Sequence, residues 1–225
     1  MKRKIVLVCV AHRDDETIGC GGTISKHVAK GDKVYCLSMT DGVSARVQKK
    51  TKDAKARLKN SIKASKILGF NWINIDKNFD DNEMDKVSLL SVIKVIEKVK
   101  EKIQPDIIYT HYDKDLNIDH RIVSQAVLTA FRPMKGEKLE KIFFFEVLSA
   151  TDYSSKSFVP NYFNKIDKHW KKKNKALKAY GDEIIKTKTS RNLNGVMNLA
   201  MYRGNFCGHQ YAEAFKLIRE IDKDD

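Results

Sequence analysis

The sequence predicts an α/β fold, a Rossmann-like layered arrangement with a mostly parallel sheet flanked by helices. Three observations carry that expectation. Short apolar, β-rich runs alternate with longer segments of helical period, the pattern of a parallel sheet covered on both faces. Gly31, Gly69 and Pro105 sit where one element should end and the next begin. The 225 residues suffice for one substantial core, and no repeat or low-complexity linker divides them.

Taken in order, the first strand is expected at 5–10, an unbroken apolar run, and the first helix at 16–30, where small glycines allow close packing on the sheet. A strand at 33–39, a helix at 52–68 and a strand at 72–75 follow. The helix at 86–103 carries one apolar stripe, Val87, Leu90, Val92, Ile93, Ile96 and Val99. A strand at 106–109, a helix at 119–131 and a strand at 142–147 complete the series, joined by right-handed crossovers. Beyond residue 148 the rhythm breaks. Residues 149–164, with Pro160 and several aromatics, read as an ordered loop, and helices are expected near 166–180 and 190–202. The whole chain, 1–225, is read as a single domain in which 149–225 forms a C-terminal loop and helical cap.

Composition narrows the function classes. No apolar run is long enough to span a bilayer, and the basic start Met1-Lys2-Arg3-Lys4 leads into a strand instead of a cleavage site. Cys9, Cys20, Cys36 and Cys207 lack paired spacing, so free thiols and a cytoplasmic location are expected. A net charge of +14 invites a nucleic-acid reading. The lysines are scattered over helix faces, however, which argues against it, and Lys171-Lys172-Lys173 reads as the exposed side of a helix. The positive surface favours an anionic substrate, such as a phosphorylated or nucleotide-linked sugar. Apolar residues in the tail leave a homo-oligomer open.

Chemistry concentrates at the carboxyl ends of the strands. The first strand runs into Ala11-His12-Arg13-Asp14-Asp15-Glu16, while the fourth ends in Tyr109-Thr110-His111 and leads to Asp113, Asp115, Asn117, Asp119 and His120. One carboxylate would suffice to cap a helix, so this density asks for another explanation. Catalytic zinc takes three protein ligands and keeps a place for water, and His12, Asp15 and His120 fit that set. Such an ion lowers the pKa of its water towards about 7. Asp14 is then placed to accept the water's proton and return it to a leaving amine, and Asp119 to orient His120 or a neighbour.

At these residues the chain resembles the LmbE-like (PIG-L type) N-acetylglucosaminyl deacetylases, whose hallmarks are Ala-His-Pro-Asp-Asp-Glu and a distant His-x-Asp-His. The likeness continues through Gly19-Cys20-Gly21-Gly22, Thr40-Asp41-Gly42, Arg57 with Leu68-Gly69, Asp80-Asp81-Asn82 and Tyr211-Ala212-Glu213-Ala214-Phe215. The resemblance implies a metal-dependent hydrolase that removes an acetyl or related acyl group from an amino-sugar derivative. It implies zinc, or another divalent ion such as Fe2+, on His12, Asp15 and His120, with Asp14 as general base and Arg57 and Asp81 binding substrate.

Two residues depart from the pattern. Arg13 replaces a proline and offers a charge to an anionic substrate. Asn117 replaces a histidine, so it can donate a hydrogen bond to an oxyanion but cannot carry a proton. His209 is a candidate substitute for that lost acid. His111 is divided between packing and orienting a ligand, and His27 and His169 are read as solvated. The substrate-reading loops are expected at 41–56, 78–85 and 149–164, where Phe79, Asp80, Tyr153, Phe158 and Tyr162 suit a polar ring with apolar faces.

A dinucleotide-binding enzyme is the natural rival, but its glycine fingerprint should follow the first strand directly, and here His12 and the acids stand instead. A non-catalytic carbohydrate- or nucleic-acid-binding member of the fold is the second rival, encouraged by Asn117 and opposed by the complete ligand set.

Overall fold

A computed structural model of the chain describes residues 3–40, 42, 51–76 and 78–223. In chain order, β1 (Ile5–Val10), α1 (Asp15–Ala29), β2 (Lys33–Ser38), α2 (Thr51–Leu68), β3 (Asn71–Ile73), α3 (Leu89–Ile103), β4 (Ile107–His111), α4 (Ile118–Ala130) and β5 (Lys141–Phe145) form the alternating series. The tail adds β6 (Tyr162–Lys165), α5 (Trp170–Ala179), α6 (Asp182–Ile185), α7 (Leu193–Asn205) and β7 (Ala212–Glu220). One seven-stranded sheet results, in the order β3-β2-β1-β4-β5-β7-β6. The first five strands are parallel, and β7 runs antiparallel between β5 and β6.

The two-residue period of a strand explains the layering. Val6, Val8 and Val10 of β1 face a core shared with α1, α2 and α5, whereas Leu7 and Cys9 face another shared with α3 and α4. In α3, Val92, Ile93, Ile96 and Val99 are buried, which contributes about 1.5–3 kcal/mol for each large side chain. Leu90 of the expected stripe is 56% exposed, because the helix starts only at Leu89 and turns that residue outward. Close packing of α1 on the sheet does rest on glycine: a Cβ on Gly19 would sit 2.3 Å from the Phe145 ring.

The tail differs most from expectation. It is more than loop and helices, since β6 and β7 extend the sheet. Ala212, Glu213 and Ala214 are weak strand formers, and they become a strand because β6 pairs with them while β5 holds the following residues, Phe215 to Glu220.

Lys173 is not exposed, and its place follows from a break in α1. Cys20 is non-helical at φ −142°, ψ 21°, so backbone groups on either side lose their helical partners. Glu213 accepts from the N–H groups of Gly22 (2.8 Å) and Thr23 (2.7 Å). Lys173 Nζ donates to the Ile18 carbonyl (2.8 Å) and to Glu213 (2.6 Å), which closes a buried ion pair across the break. His27 is also enclosed, between Asp32 (2.7 Å) and the Tyr109 hydroxyl (3.0 Å), and His169 meets Ser25 at 3.0 Å.

Candidate metal centre and substrate cavity

β1 and β4 are adjacent and parallel, so the segments after their carboxyl ends meet. His111 Nε2 accepts the Ala11 N–H at 2.8 Å, tying the end of β4 to the start of the acidic turn. His12 N–H donates to Asp15 Oδ2 at 2.9 Å, which turns both side chains to one side. His120, in the first turn of α4, completes the group.

Three donor atoms converge. His12 Nδ1 lies 3.2 Å from Asp15 Oδ2, His120 Nε2 lies 3.3 Å from the same oxygen, and the two nitrogens are 3.3 Å apart. A tetrahedral ion with ligands about 2.0–2.1 Å away holds them about 3.3–3.4 Å from one another, so the triangle fits zinc. Tautomers agree with that fit. His12 Nε2 faces Asp81 Oδ1 (3.0 Å) and Asp119 Oδ2 (3.2 Å), which places its proton there and leaves the Nδ1 lone pair free. His120 Nδ1 stands 3.3 Å from Asp115 Oδ1, an ion-pair distance without the alignment of a hydrogen bond.

Electrostatics ask for positive charge at the same point. Burial opposes charge on His12, yet Asp119, Asp15 and Asp81 outweigh it and hold its pKa well above the ordinary value. Burial likewise opposes charge on His120, while Asp15 and Asp115 raise it to about 9. Asp15 would be raised by burial, but His120, His12 and His111 pull it well below the usual carboxylate range. His111 is held neutral by burial and by His120, on which it stacks with ring centres 3.8 Å apart. It therefore both packs and props the His120 ring.

Asp14 stands beside this triangle in an unusual turn. Its φ of 143° is rare for a residue with a side chain, and its N–H donates to Glu16 Oε2 at 3.0 Å. Glu16, buried and raised by that burial to about 7, also accepts from the Tyr180 hydroxyl at 2.6 Å. The Asp14 carboxylate is buried with no hydrogen bond among the described residues; Arg57 Nη2 lies 3.2 Å away and Arg191 Nη1 3.9 Å. Burial raises its pKa to about 6 against the pull of Arg57.

A cavity of about 350 Å³ opens onto the triangle, bounded by Asp14, Arg57, Asp81, Asn82, Asn117, Arg191 and residues 147–150. Of the residues expected here, His12, Asp14, Asp15, Arg57, Asp81, Asn117 and His120 do line it. Arg13 does not: its guanidinium packs 4.4 Å over the Trp72 ring and donates to Ser61, because the turn points it back over α2. His209 does not either; it lies beyond the β6–β7 pairing and forms a partly exposed pair with Asp167 at 3.3 Å. Asn117 is the N-cap of α4, accepting from Asp119 N–H (2.8 Å) and donating to Asn82 Oδ1 (3.0 Å). Asp119 serves His12 rather than His120, and is itself fixed by the N–H groups of Asn82 and Met84.

Asp41 and residues 43–50 of the expected 41–56 loop lie outside the described residues. Sequence reasoning assigned no role to Asn82, Glu16 or Arg191. The first two stand inside the matched motifs and could have been found there; Arg191 lies in a polar run without a signal.

Comparison with known proteins agrees with this geometry. Residues 7–131 match the family model PIG-L, GlcNAc-PI de-N-acetylase. An uncharacterised deacetylase of Escherichia coli strain K12, YaiS, is 34% identical over 136 residues, 58% of this chain and 70% of YaiS. Diacetylchitobiose deacetylase of Thermococcus kodakarensis is 26% identical, spanning 97% of this chain and 84% of its own length. The solved structure of GalB, the 4-carboxy-2-hydroxymuconate hydratase of Pseudomonas putida KT2440, superposes with a TM-score of 0.77 at 19% identity, covering 99% of both chains. That last likeness shows the fold alone, and shows that the fold does not dictate the reaction. The family match spans more than half of the chain and includes His12, Asp15 and His120, so the chain belongs to the PIG-L deacetylase family.

Proposed function

We propose that this protein is a metal-dependent N-deacetylase that hydrolyses the amide of an N-acetylated amino-sugar derivative to acetate and a free amine. The observation that carries the proposal is the triangle of His12, Asp15 and His120 donor atoms beside a buried Asp14 carboxylate that makes no hydrogen bond among the described residues. A divalent ion, zinc by donor set and Fe2+ as the second candidate, supplies Lewis acidity there and makes water easier to deprotonate.

The remaining work belongs to side chains. Asp119 and Asp81 hold the Nε2 proton of His12 and so keep Nδ1 available as a ligand. Asp14, with its pKa raised by burial to about 6, is ionised at neutral pH and close enough to neutrality to exchange a proton. It takes the proton of the attacking water and delivers it to the departing amine. Arg57, bonded to the Gly42 and Arg13 carbonyls and to Glu183, holds Asp14 in place. Asn117 spends one amide N–H on Asn82 and has the second for the oxygen of the scissile amide, a neutral donor where the family resemblance leads one to expect a histidine.

The four free cysteines support a reducing, cytoplasmic setting. A non-catalytic binding role gains nothing from Asp14, whose burial would be a cost without a proton to carry. The test is acetate release from a panel of N-acetylated sugars and sugar nucleotides, with zinc and with a chelator. Release that stops on chelation and returns with metal supports the proposal; ligand retention without release contradicts it.

A further inference from the structure

We infer that Arg191 makes this cavity selective for amino sugars that carry an anionic substituent, a carboxylate or a phosphate; the inference rests on the deacetylase reading above. The cavity wall holds two guanidinium groups that differ in their bonding. Arg57 is engaged at both terminal nitrogens, by the Gly42 and Arg13 carbonyls and the Asp14 and Glu183 carboxylates, and only its Nε lacks a hydrogen bond among the described residues. Arg191 has no such set. Its nearest carboxylate is Asp14 Oδ2 at 3.9 Å, beyond hydrogen-bond reach, and its buried Nε makes no hydrogen bond among the described residues.

A guanidinium only donates, through five N–H groups in a fixed fork. Elsewhere on the wall Asp14 and Asp81 accept when ionised, and Asn82 and Asn117 offer both acceptors and donors, so the donating hydroxyls of a sugar are already provided for. A donor-only fork is matched by an acceptor-only partner, and carboxylate and phosphate are the groups of that kind. A neutral substrate would instead close over Arg191 and leave its guanidinium only the Asp14 carboxylate at 3.9 Å, with no hydrogen bond.

The fork is also presented from fixed backbone. Ser190 on one side donates to Asp152 Oδ2 at 2.5 Å, and Asn192 on the other caps α7 by accepting from Gly195 N–H at 2.9 Å. The net charge of +14 acts in the same sense at long range by concentrating anions near the protein.

The experiment compares kcat and KM of the zinc-loaded protein on three probes: the methyl glycoside, the carboxymethyl glycoside and the 1-phosphate of N-acetylglucosamine. The wild type should favour one anionic probe over the methyl glycoside by about tenfold or more in kcat/KM, the scale of a charge-assisted hydrogen bond. Whichever anion is favoured identifies the source. In Arg191→Gln that preference should shrink to about twofold or less through a rise in KM. Equal wild-type rates on all three, or a fall in kcat shared equally by all three in Arg191→Gln, overturns the inference. If no probe releases acetate, the deacetylase reading fails on its own. Calorimetric binding of the same probes then decides the role of Arg191, and no preference for an anion overturns it.

Discussion

His12 Nε2 lies 3.2 Å from Asp119 Oδ2, and that pairing decides which nitrogen of His12 faces Asp15 and His120. Asp119 is itself immobile, held by the N–H groups of Asn82 at 2.7 Å and Met84 at 3.2 Å. A residue outside the proposed ligand set therefore governs the His12 ring.

Replacing Asp119 with Asn removes the charge that fixes the His12 tautomer. Metal affinity should fall by about 10- to 100-fold, the usual effect of losing such a partner. Competition with a chromophoric chelator measures it; unchanged affinity would mean that Asp119 has only a folding role.

Asp14→Asn should behave in the opposite way. The amide keeps the shape of the side chain but cannot accept a proton, so kcat should drop by about a hundredfold or more while metal stoichiometry stays at the wild-type value. Steady-state kinetics with metal analysis on the same sample checks both halves.

The ion pair across the break in α1 is a stability element. Lys173→Met leaves Glu213 charged and buried, and should cost about 3–5 kcal/mol in denaturant unfolding. The double change Lys173→Met with Glu213→Leu should cost less than Glu213→Leu and Lys173→Met summed, since neither charge is then left alone.

His27 couples stability to pH. Burial lowers its pKa below the ordinary value despite Asp32, so the unfolded chain takes up the proton first as acid is added. Its contribution is present above about pH 6.5 and is lost as pH falls below that value. The loss of stability from pH 7.5 to 5.5 should be smaller in His27→Gln than in wild type, as read by urea midpoints.

Much of this is legible in the sequence alone. The apolar run of β1 ends where chemistry begins, and the rule that parallel strands gather function at their carboxyl ends brought His12 and His120 together across 108 positions. What stayed hidden depends on contacts distant in sequence. Arg13 invites an anion until Trp72 is seen beneath it, and Lys173 looks solvated until the break at Cys20 supplies the Ile18 carbonyl for it to meet. The period of α5 did place Lys173 in line with Trp170, Ala176, Leu177 and Tyr180, all buried, but a lysine in an apolar stripe is easily excused. β7 needed its neighbours to become a strand at all.

The most direct measurement is anomalous diffraction at the zinc edge from crystals grown with zinc. A single strong peak about 2.0–2.2 Å from His12 Nδ1, Asp15 Oδ2 and His120 Nε2 is expected. A fully ordered site with no peak among those three atoms, or with the metal bound elsewhere, would contradict it.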